Sequence, residues 1–443
     1  MKRSIFEMIG PVMVGPSSSH TAGMARIGAE AAHRLPEGAV KIRLTFSRRM
    51  EKTYTGHRSD AACVGGALGL SPDSPELKRA YELAAERGIA VTVDFFEEGE
   101  VPQNTVRVEF TYADGSIRSL TGVSVGGGSI AIYAMDGVKT SLEPYLEYGE
   151  TLETAEPVRT VREVISSSDS FAEAAVRYEM RRSGRSEEEI RSDMRAMLSV
   201  MKEAVRSGLE KNELLYGLTS GEDGKKLLEA CRDGKLPSGG VQAEAAAMAL
   251  AVMEQNASMG RLVAAPTGGS AGIIPGVLLA MAEKHGIPDE KLVDALFTAA
   301  LFGVIMDERG ISFSGSVGGC QGEIGVSAAM AAAAEASLFT EDKAVIATAF
   351  ALTLKNLLGL VCDPIAGPIE VPCIKRNAMG CAAAMMMCDL ALAGIESYIP
   401  ADEVMDALLD VEQRLPAELK CAAVGGLACT ETACRLRKNI LKQ

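Results

Sequence analysis

The chain has 443 residues, which predicts two or three domains, and its 47% hydrophobic and 23% charged residues are typical of a globular protein. Lys and Arg number 45 and Asp and Glu 59, so the net charge of −14 argues against nucleic acid or a membrane as partner, because both bind basic surfaces. Trp is absent, and ten cysteines in such a chain indicate metal ligands, catalytic thiols or small buried residues rather than a disulfide framework.

The protein is expected to be cytoplasmic. The apolar stretch that follows Lys2 and Arg3 is interrupted by Glu7 and Pro11, which is unlike the core of an export signal. The uncharged stretch Leu262–Ala282 contains two prolines and several glycines. It therefore predicts two buried segments around a functional loop rather than a membrane helix.

Residues 1–137 alternate between strand and helix patterns and predict an α/β or α+β domain. The period-two runs predict strands over Val40–Thr45, Val91–Phe95, Val106–Tyr112 and Ile130–Tyr133. Helical spacing predicts helices over Ser19–Arg34 and Glu76–Gly88, and a glycine-rich turn, Gly126–Gly128, precedes the last strand.

Residues 138–157 are mixed and acidic, and we interpret them as a linker. Residues 158–443 then show helical patterns without a convincing strand pair, which predicts an all-α domain. Its clearest predicted helices are Ala243–Met253, Leu292–Ile305, Ile324–Leu338, Lys343–Leu358, Ala378–Leu392 and Ala401–Glu412.

The cysteines fall into two groups. Cys63, Cys231, Cys381 and Cys388 lie in helical patterns and are predicted to be small buried residues. Cys320, Cys362 and Cys373 each lie in a break between helices that glycine or proline marks, where free backbone N–H groups can stabilise a thiolate. The spacing of these three contains no C-x-x-C pair and leaves an iron–sulfur cluster and a zinc site equally open.

The segment Gly15–Gly23 contains several hydroxyl groups, which lie at the start of a predicted helix. Free N–H groups, the positive helix end and hydroxyls suit a carboxylate, although one serine would suffice for an ordinary N-cap. The residues that would form this anion site are Ser17, Ser18, Ser19 and Thr21.

Two of the four histidines, His20 and His57, lie in polar turns and are the better candidates for acid–base chemistry. His33 and His285 lie near predicted helix ends beside basic residues and are predicted to be solvated. A third candidate element is the glycine-rich loop Ala265–Pro275, which suits close approach of the backbone to a small anion but is explained equally well by tight helix packing.

Together these motifs resemble the iron–sulfur-dependent L-serine dehydratases, also called L-serine ammonia-lyases, over nearly the whole chain. The resemblance rests on six motifs in the same order: GPSSSHTAG, GH-x-S-D, APT-G-x-x-x-G-x-x-P, GGCQGEIG, GLVCDPIAGPIEVPCIKRNAMG and GGLA. The block around Cys362 and Cys373 is the most specific of them. The resemblance also matches the order of the domains, a β-type domain first and a catalytic α-type domain second.

The resemblance implies elimination of water from L-serine to give pyruvate and ammonia. Cys320, Cys362 and Cys373 would hold a [4Fe–4S] cluster with one open iron, and no pyridoxal phosphate is expected. His57 would be the base, and His20 would contact the substrate or assist the base. Substrate binding is assigned to Ser17, Ser18, Ser19, Thr21, Thr267 and Asn377. The active site is then expected at the interface of the two domains of a homodimeric enzyme.

The chain departs from that family pattern in three places. The linker is too short for the regulatory ACT domain that two-chain relatives carry. Asp307–Gly315 stands in the position of an Asn-x-Ala-Ser-Ile-Ser-Gly run that many relatives have. Some relatives end in a cysteine that caps the open iron, whereas the last cysteine of this chain, Cys434, lies nine residues before Gln443. These departures leave the regulation and the fourth iron ligand undecided.

Three alternatives stay open at this point. A pyridoxal phosphate dehydratase would use Lys375 as the Schiff-base lysine and Gly126–Gly128 as the phosphate loop. An iron–sulfur sensor would have the cluster without turnover. A related lyase acting on threonine or cysteine is the nearest alternative, because one methyl group or a thiol changes binding only modestly.

Overall fold

A computed structural model describes residues 3–51, 53–144, 157–167, 169–365 and 369–440. The strands are β1 (Val12–Val14), β2 (Ala39–Phe46), β3 (Ala90–Phe95), β4 (Thr105–Tyr112), β5 (Ile117–Gly126), β6 (Ser129–Met135), β7 (Val138–Pro144) and β8 (Arg261–Val263). The helices up to residue 257 are α1 (Gly23–Arg34), α2 (Ser59–Ala67), α3 (Ala80–Glu86), α4 (Val161–Ser166), α5 (Phe171–Ser183), α6 (Glu187–Gly208), α7 (Asp223–Arg232) and α8 (Gly240–Ala257). The later helices are α9 (Ile273–His285), α10 (Asp289–Glu308), α11 (Gly315–Gly318), α12 (Val326–Phe339), α13 (Lys343–Asn356), α14 (Cys373–Leu392), α15 (Ala401–Arg414) and α16 (Glu431–Ile440).

The first region is built on a six-stranded sheet in the order β3-β2-β4-β5-β6-β7. β2 and β3 are parallel and the other neighbours are antiparallel. In β4 the alternate residues Val106, Val108 and Phe110 are buried, as the period-two pattern predicts. α1 and α2 pack on the buried face of the sheet and complete a core of their own. The predicted α/β or α+β class is confirmed.

The sheet extends into the segment that we interpreted as a linker. β7 pairs with β6 through a tight turn at Asp136 and Gly137, both of which have positive φ angles. Asp-Gly between two apolar residues is a strong hairpin signal, and the acidic composition of the following residues obscured it. The rest of the predicted linker, residues 145–156, lies outside the described residues.

The second region is helical, as predicted, and its core surrounds α10 and α12. The alanine run Ala328–Ala334 of α12 is almost completely buried, since small side chains let α9, α10, α13 and α14 approach closely. Leu262–Ala282 forms β8, a loop and most of α9, which agrees with two segments around a loop. None of the helices in the described ranges is long and apolar enough to cross a membrane.

The two regions are connected by the N-terminal segment and by one small sheet. β1 from the first region pairs antiparallel with β8 from the second, a pairing between distant segments that no local sequence pattern predicts. Ile5, Phe6 and Met8 are fully buried among side chains of the helical region. The N-terminal segment therefore completes the hydrophobic core of the helical region and holds the two regions in one fixed arrangement.

Glu335 on α12 is an ionisable residue inside the helical core. It is 1% exposed, and its Oε2 atom has no hydrogen-bond partner among the described residues. Burial, reinforced by the nearby Asp389, raises the pKa of Glu335 from 4.5 to about 8. Between these two pH values the unfolded chain releases the proton that the folded protein keeps. The free energy of unfolding therefore falls as pH rises through this interval.

Replacing Glu335 with glutamine is expected to stabilise the protein at pH 8 by about 2 kcal/mol. Each unit of the pKa shift costs about 1.4 kcal/mol, and the unpaired amide takes back part of the gain. The free energies of unfolding in urea at pH 8 and pH 4.5 measure this effect, which should disappear at the lower pH. The control is Glu341→Gln at an exposed position, and equal behaviour of the two variants would contradict the prediction.

Candidate active site

The first part of the site is the turn that opens α1. Ser17 caps it, because its Oγ atom accepts a hydrogen bond from the backbone N of His20 at 3.2 Å. The residues that follow form one wide helical turn, Ser18–Ala22, which continues directly into α1. Thr21 Oγ1 donates a hydrogen bond of 2.7 Å to the carbonyl oxygen of His57, which attaches this turn to the one before α2.

The crossing of α1 and α2 brings the two histidines together. The helices meet at Gly28 and Gly66, where an added Cβ would lie 2.1 Å from the carbonyl oxygen of Cys63 and 1.9 Å from that of Ala25. Only glycine permits such close contact of the two backbones. The residues just before each helix are then neighbours, and the rings of His20 and His57 stack at 4.4 Å with 19° between their planes.

Gly66→Ala is expected to destabilise the protein by about 1–3 kcal/mol, because the methyl group forces the helices apart and disturbs the stacked histidines. The melting temperature and the enzyme activity should both fall. Gly38→Ala is the control, since its Cβ meets no atom and only its positive φ angle adds about 1 kcal/mol of strain. Unchanged activity and stability of the Gly66 variant would contradict this account of the crossing.

Both histidines are kept neutral by their surroundings. Burial lowers the pKa of His20 to about 4, although a hydrogen bond with Asn104 opposes the effect. Burial, together with the neighbouring His20, lowers the pKa of His57 well below its usual value. The Nδ1 atom of His57 is buried and has no hydrogen-bond partner among the described residues. At neutral pH the His57 ring is therefore neutral, and its Nδ1 atom can accept a proton when the ring hydrogen is on Nε2.

The second part of the site is a group of cysteines from four places in the helical region. The sulfur atoms of Cys320 and Cys362 and a carboxylate oxygen of Glu323 all lie within 4.8 Å of one another, a spacing that could hold a metal ion. Cys373, the first residue of α14, and Cys421 line a pocket together with Cys362 and Glu323. Of the predicted buried cysteines, Cys63, Cys381 and Cys388 are buried within helices and Cys231 is half-buried.

The two histidines and three of the cysteines line one small pocket where the two regions meet, and Cys320 lies next to Cys362 without lining the pocket itself. The lining residues of the pocket are Ser17, Ser19, His20, His57, Ser314, Gly315, Ser316, Glu323, Cys362, Pro364, Ile369, Cys373 and Cys421. The geometry thus places residues from both regions at one site, as the interface hypothesis requires.

Glu323 and Cys421 were not singled out from the sequence, although both lie in or beside the motifs GGCQGEIG and GGLA. Ser314 and Ser316 were also missed.

Four of the predicted substrate-binding residues do not line this pocket. Ser18 is buried and Thr21 bonds to the turn of His57. Thr267 Oγ1 donates to Glu323 Oε1 at 3.1 Å. Asn377 joins two loops, because its Oδ1 accepts from Gly272 N at 3.1 Å while its Nδ2 donates to the carbonyl oxygens of Gly269 and Cys373. These side chains shape the pocket through the loops they hold.

Arg376 connects the cysteine group to its supporting loops. Its Nη1 atom donates to the sulfur of Cys320 at 3.2 Å, and its Nη2 atom donates to Asp363 Oδ1 at 2.8 Å. The other carboxylate oxygen of Asp363 accepts from the backbone N of Leu427 at 2.8 Å. A fixed guanidinium beside Cys320 stabilises negative charge on that sulfur.

The cysteine group fits a cationic, sulfur-seeking group such as zinc or an iron–sulfur cluster. Hydrogen bonding with Cys320 and other thiols raises the pKa of Cys362 well above its usual value, and burial does the same for the pKa of Cys373. These thiols become thiolates at neutral pH only when a cation compensates their charge. Gly315 leaves the necessary room, because a Cβ there would lie 3.1 Å from the sulfur of Cys362.

Glu323 lies between the cysteines and the loop of Thr267. Burial raises the pKa of its carboxyl group to about 7, and the hydrogen bond from Thr267 and the charge of Arg376 oppose the rise. Protonated and ionised forms are therefore both present near neutral pH. Glu323 can hold or release a proton at the edge of the pocket, or serve as an oxygen ligand.

The residues required for a pyridoxal phosphate site are engaged elsewhere. The Nζ atom of Lys375 forms an ion pair with Asp223 Oδ2 at 2.6 Å on the exposed side of α14. The carbonyl oxygen of Gly128 accepts a hydrogen bond of 2.6 Å from Arg26 Nη1. Neither residue lines the pocket that contains the histidines and cysteines.

Comparison with known protein families divides the chain in the same way. The family described as serine dehydratase beta chain matches residues 4–104, and the family described as serine dehydratase alpha chain matches residues 167–428. The second match includes all the cysteines of the pocket, and the first includes both of its histidines.

Some individual relatives match only the helical region, and others match nearly the whole chain. The chain is 44% identical over 286 residues to the probable L-serine dehydratase, alpha chain, of Bacillus subtilis, which covers 64% of this chain and 95% of the relative. It is 30% identical over 473 residues to L-serine dehydratase of Mycobacterium tuberculosis, covering 97% of this chain and 98% of the relative. L-serine dehydratase 2 of Escherichia coli is 27% identical over 466 residues, with 97% and 99% covered.

Proposed function

The chain belongs to the serine dehydratase family, with beta-chain and alpha-chain segments fused in one polypeptide, and we propose that it is an L-serine ammonia-lyase. It removes water from L-serine, and the resulting enamine hydrolyses to pyruvate and ammonia. The observation that carries this proposal is the single pocket in which the two neutral histidines of the first region meet the cysteines of the second.

Cys320, Cys362 and Cys373 would hold a [4Fe–4S] cluster in this pocket. When bound, a cluster with one open iron supplies a Lewis acid for the hydroxyl group that leaves, since hydroxide is a poor leaving group by itself. Arg376 donates to Cys320 and so helps this chain to hold a group surrounded by thiolates. The thiol-rich composition of the pocket supports this assignment over oxygen-preferring metals.

The turn before α1 would bind the carboxylate of serine. Ser17 and Ser19 line the pocket and present hydroxyl groups at the start of a helix, where free N–H groups and the positive helix end attract an anion. Ser18, Thr21, Thr267 and Asn377 then contribute by holding the turn and the two loops that form the walls. Donors fixed at the carboxylate stabilise the charge that develops when the Cα proton leaves.

His57 would accept the Cα proton at its unpaired Nδ1 atom. The stacked ring of His20 contacts one face of His57 and fixes its orientation, which a base needs for efficient transfer. Because burial keeps both rings neutral, the base is ready at physiological pH without first losing a proton.

Anaerobic purification followed by assays of pyruvate, iron and labile sulfide tests this function. We expect pyruvate from L-serine, lower rates with L-threonine and L-cysteine, and about equal amounts of iron and acid-labile sulfide. Exposure to air should remove activity together with iron, because the iron that must be open to the substrate is the one most readily lost on oxidation. Stable activity in air without iron would contradict the cluster, and absence of pyruvate from the iron-loaded protein would favour a sensor.

A further inference from the structure

A cysteine that is not among the three assigned to the cluster also lies at the pocket. The thiol of Cys362 has the thiols of Cys320 and Cys421 as neighbours, and both raise its pKa. Cys421 also lines the pocket directly. Cys429 and Cys434, which follow it in the chain, are exposed. Cys421 is therefore set apart from the other cysteines of the C-terminal segment by its position at the metal-binding group.

The backbone fastens Cys421 to Cys362. Cys421 N donates to the carbonyl oxygen of Cys362 at 2.8 Å, and Cys362 N donates to the carbonyl oxygen of Leu419 at 2.8 Å. Lys420 forms a parallel bridge with Cys362 between these two bonds. The segment thus lies against the Cys362 loop like a short strand, and the relative positions of the two cysteines are fixed by main-chain contacts.

The backbone at Cys421 is also strained. Its φ angle is +60° and that of Ala423 is +52°, in a region that side chains other than glycine enter at a cost of about 1–2 kcal/mol each. Leu427 N, further along, is held by Asp363, which also binds Arg376. Contacts on both sides of the strained residues therefore maintain a conformation that directs Cys421 into the pocket.

We propose that Cys421 is a fourth thiolate ligand of the metal group bound by Cys320, Cys362 and Cys373 in the substrate-free enzyme. The identity of the metal group in this inference rests on the proposed function, whereas the positions of the thiols do not depend on it. A fourth protein ligand explains why a cysteine occupies a strained position against Cys362. It also shields the iron that the substrate needs, so oxidative loss of that iron is slower than at an open site.

The first test follows the cluster itself in the full-length protein, reconstituted anaerobically. Cys421→Ala and Cys421→Ser are compared with the wild type and with the matched control Cys429→Ala. After brief exposure to air, electron paramagnetic resonance measures the three-iron cluster formed by loss of one iron. We expect the Cys421 variants to form it at least fivefold faster, while the Cys429 variant matches the wild type. Equal rates in all four proteins would overturn the proposal.

A second test uses Co²⁺ alone on the metal-free proteins and does not depend on the cluster. The intensity of thiolate-to-cobalt absorption increases with the number of bound thiolates. We expect Cys421→Ala to lose about a quarter of this intensity, as one of four ligands, and Cys429→Ala to lose none. Equal intensity in both variants would contradict Cys421 as a ligand. If the wild type forms no iron–sulfur cluster but shows this difference, the proposed function fails and Cys421 remains a metal ligand.

Discussion

Cys362→Ser is expected to abolish both metal binding and pyruvate formation. Cys362 is the central thiol of the site, because its sulfur lies within 4.8 Å of the sulfur of Cys320 and of the Glu323 carboxylate, and the thiol of Cys421 is its neighbour on the other strand segment. A serine hydroxyl is a poor replacement for a thiolate toward a soft metal group. Iron content after anaerobic reconstitution should fall to background, and activity should decline by roughly a thousandfold or more.

Cys320→Ser and Cys373→Ser are expected to give the same result. The control is Cys231→Ser, at a half-buried position on α7 far in sequence from the pocket motifs, which should keep full iron and activity. Cys388→Ser should also keep its iron, although its place in the helical core costs some stability. Full iron content in any one of the three ligand variants would remove that cysteine from the ligand set.

His57→Ala is expected to reduce kcat by roughly 10²–10⁴-fold while leaving the iron content and the fold intact, although the loss of a buried ring lowers the melting temperature. The reason is that His57 offers the one buried ring nitrogen without a partner in the described part of the pocket. His20→Ala should raise KM as well as lower kcat, since its loss removes the stacked ring and disturbs the turn of Ser17. Steady-state kinetics on the iron-loaded variants separate these effects.

The exposed His33 on α1 provides the matched control, and His33→Ala should retain normal kinetics. Near-normal turnover by His57→Ala would show that the first region only supports the fold or regulates it. In that case the base must be sought elsewhere, and Glu323, with a pKa that burial raises to about 7, is the next group in the pocket.

The parts of the fold that were predictable depend on local patterns. The alternation of Val106–Tyr112 predicts β4, and the apolar spacing of Leu292–Ile305 predicts the centre of α10. Helix periodicity and capping act within a few residues, so both can be recognised from the amino-acid sequence alone. β5 was missed because Ile117–Gly126 mixes polar and small residues, and β7 was missed because residues 138–157 were interpreted as a linker from their acidic composition.

What the sequence by itself determined is the class of each region and the residue types of the site: three cysteines at helix breaks, a serine-rich helix start and two histidines in polar turns. What only the tertiary structure decided is which of these meet. The pairing of β1 with β8, the crossing at Gly66 and the contact between Cys421 and Cys362 join residues far apart in the chain. Such contacts depend on complementary packing of whole elements, which no local pattern encodes, and the same packing buries the histidines and sets their pKa values.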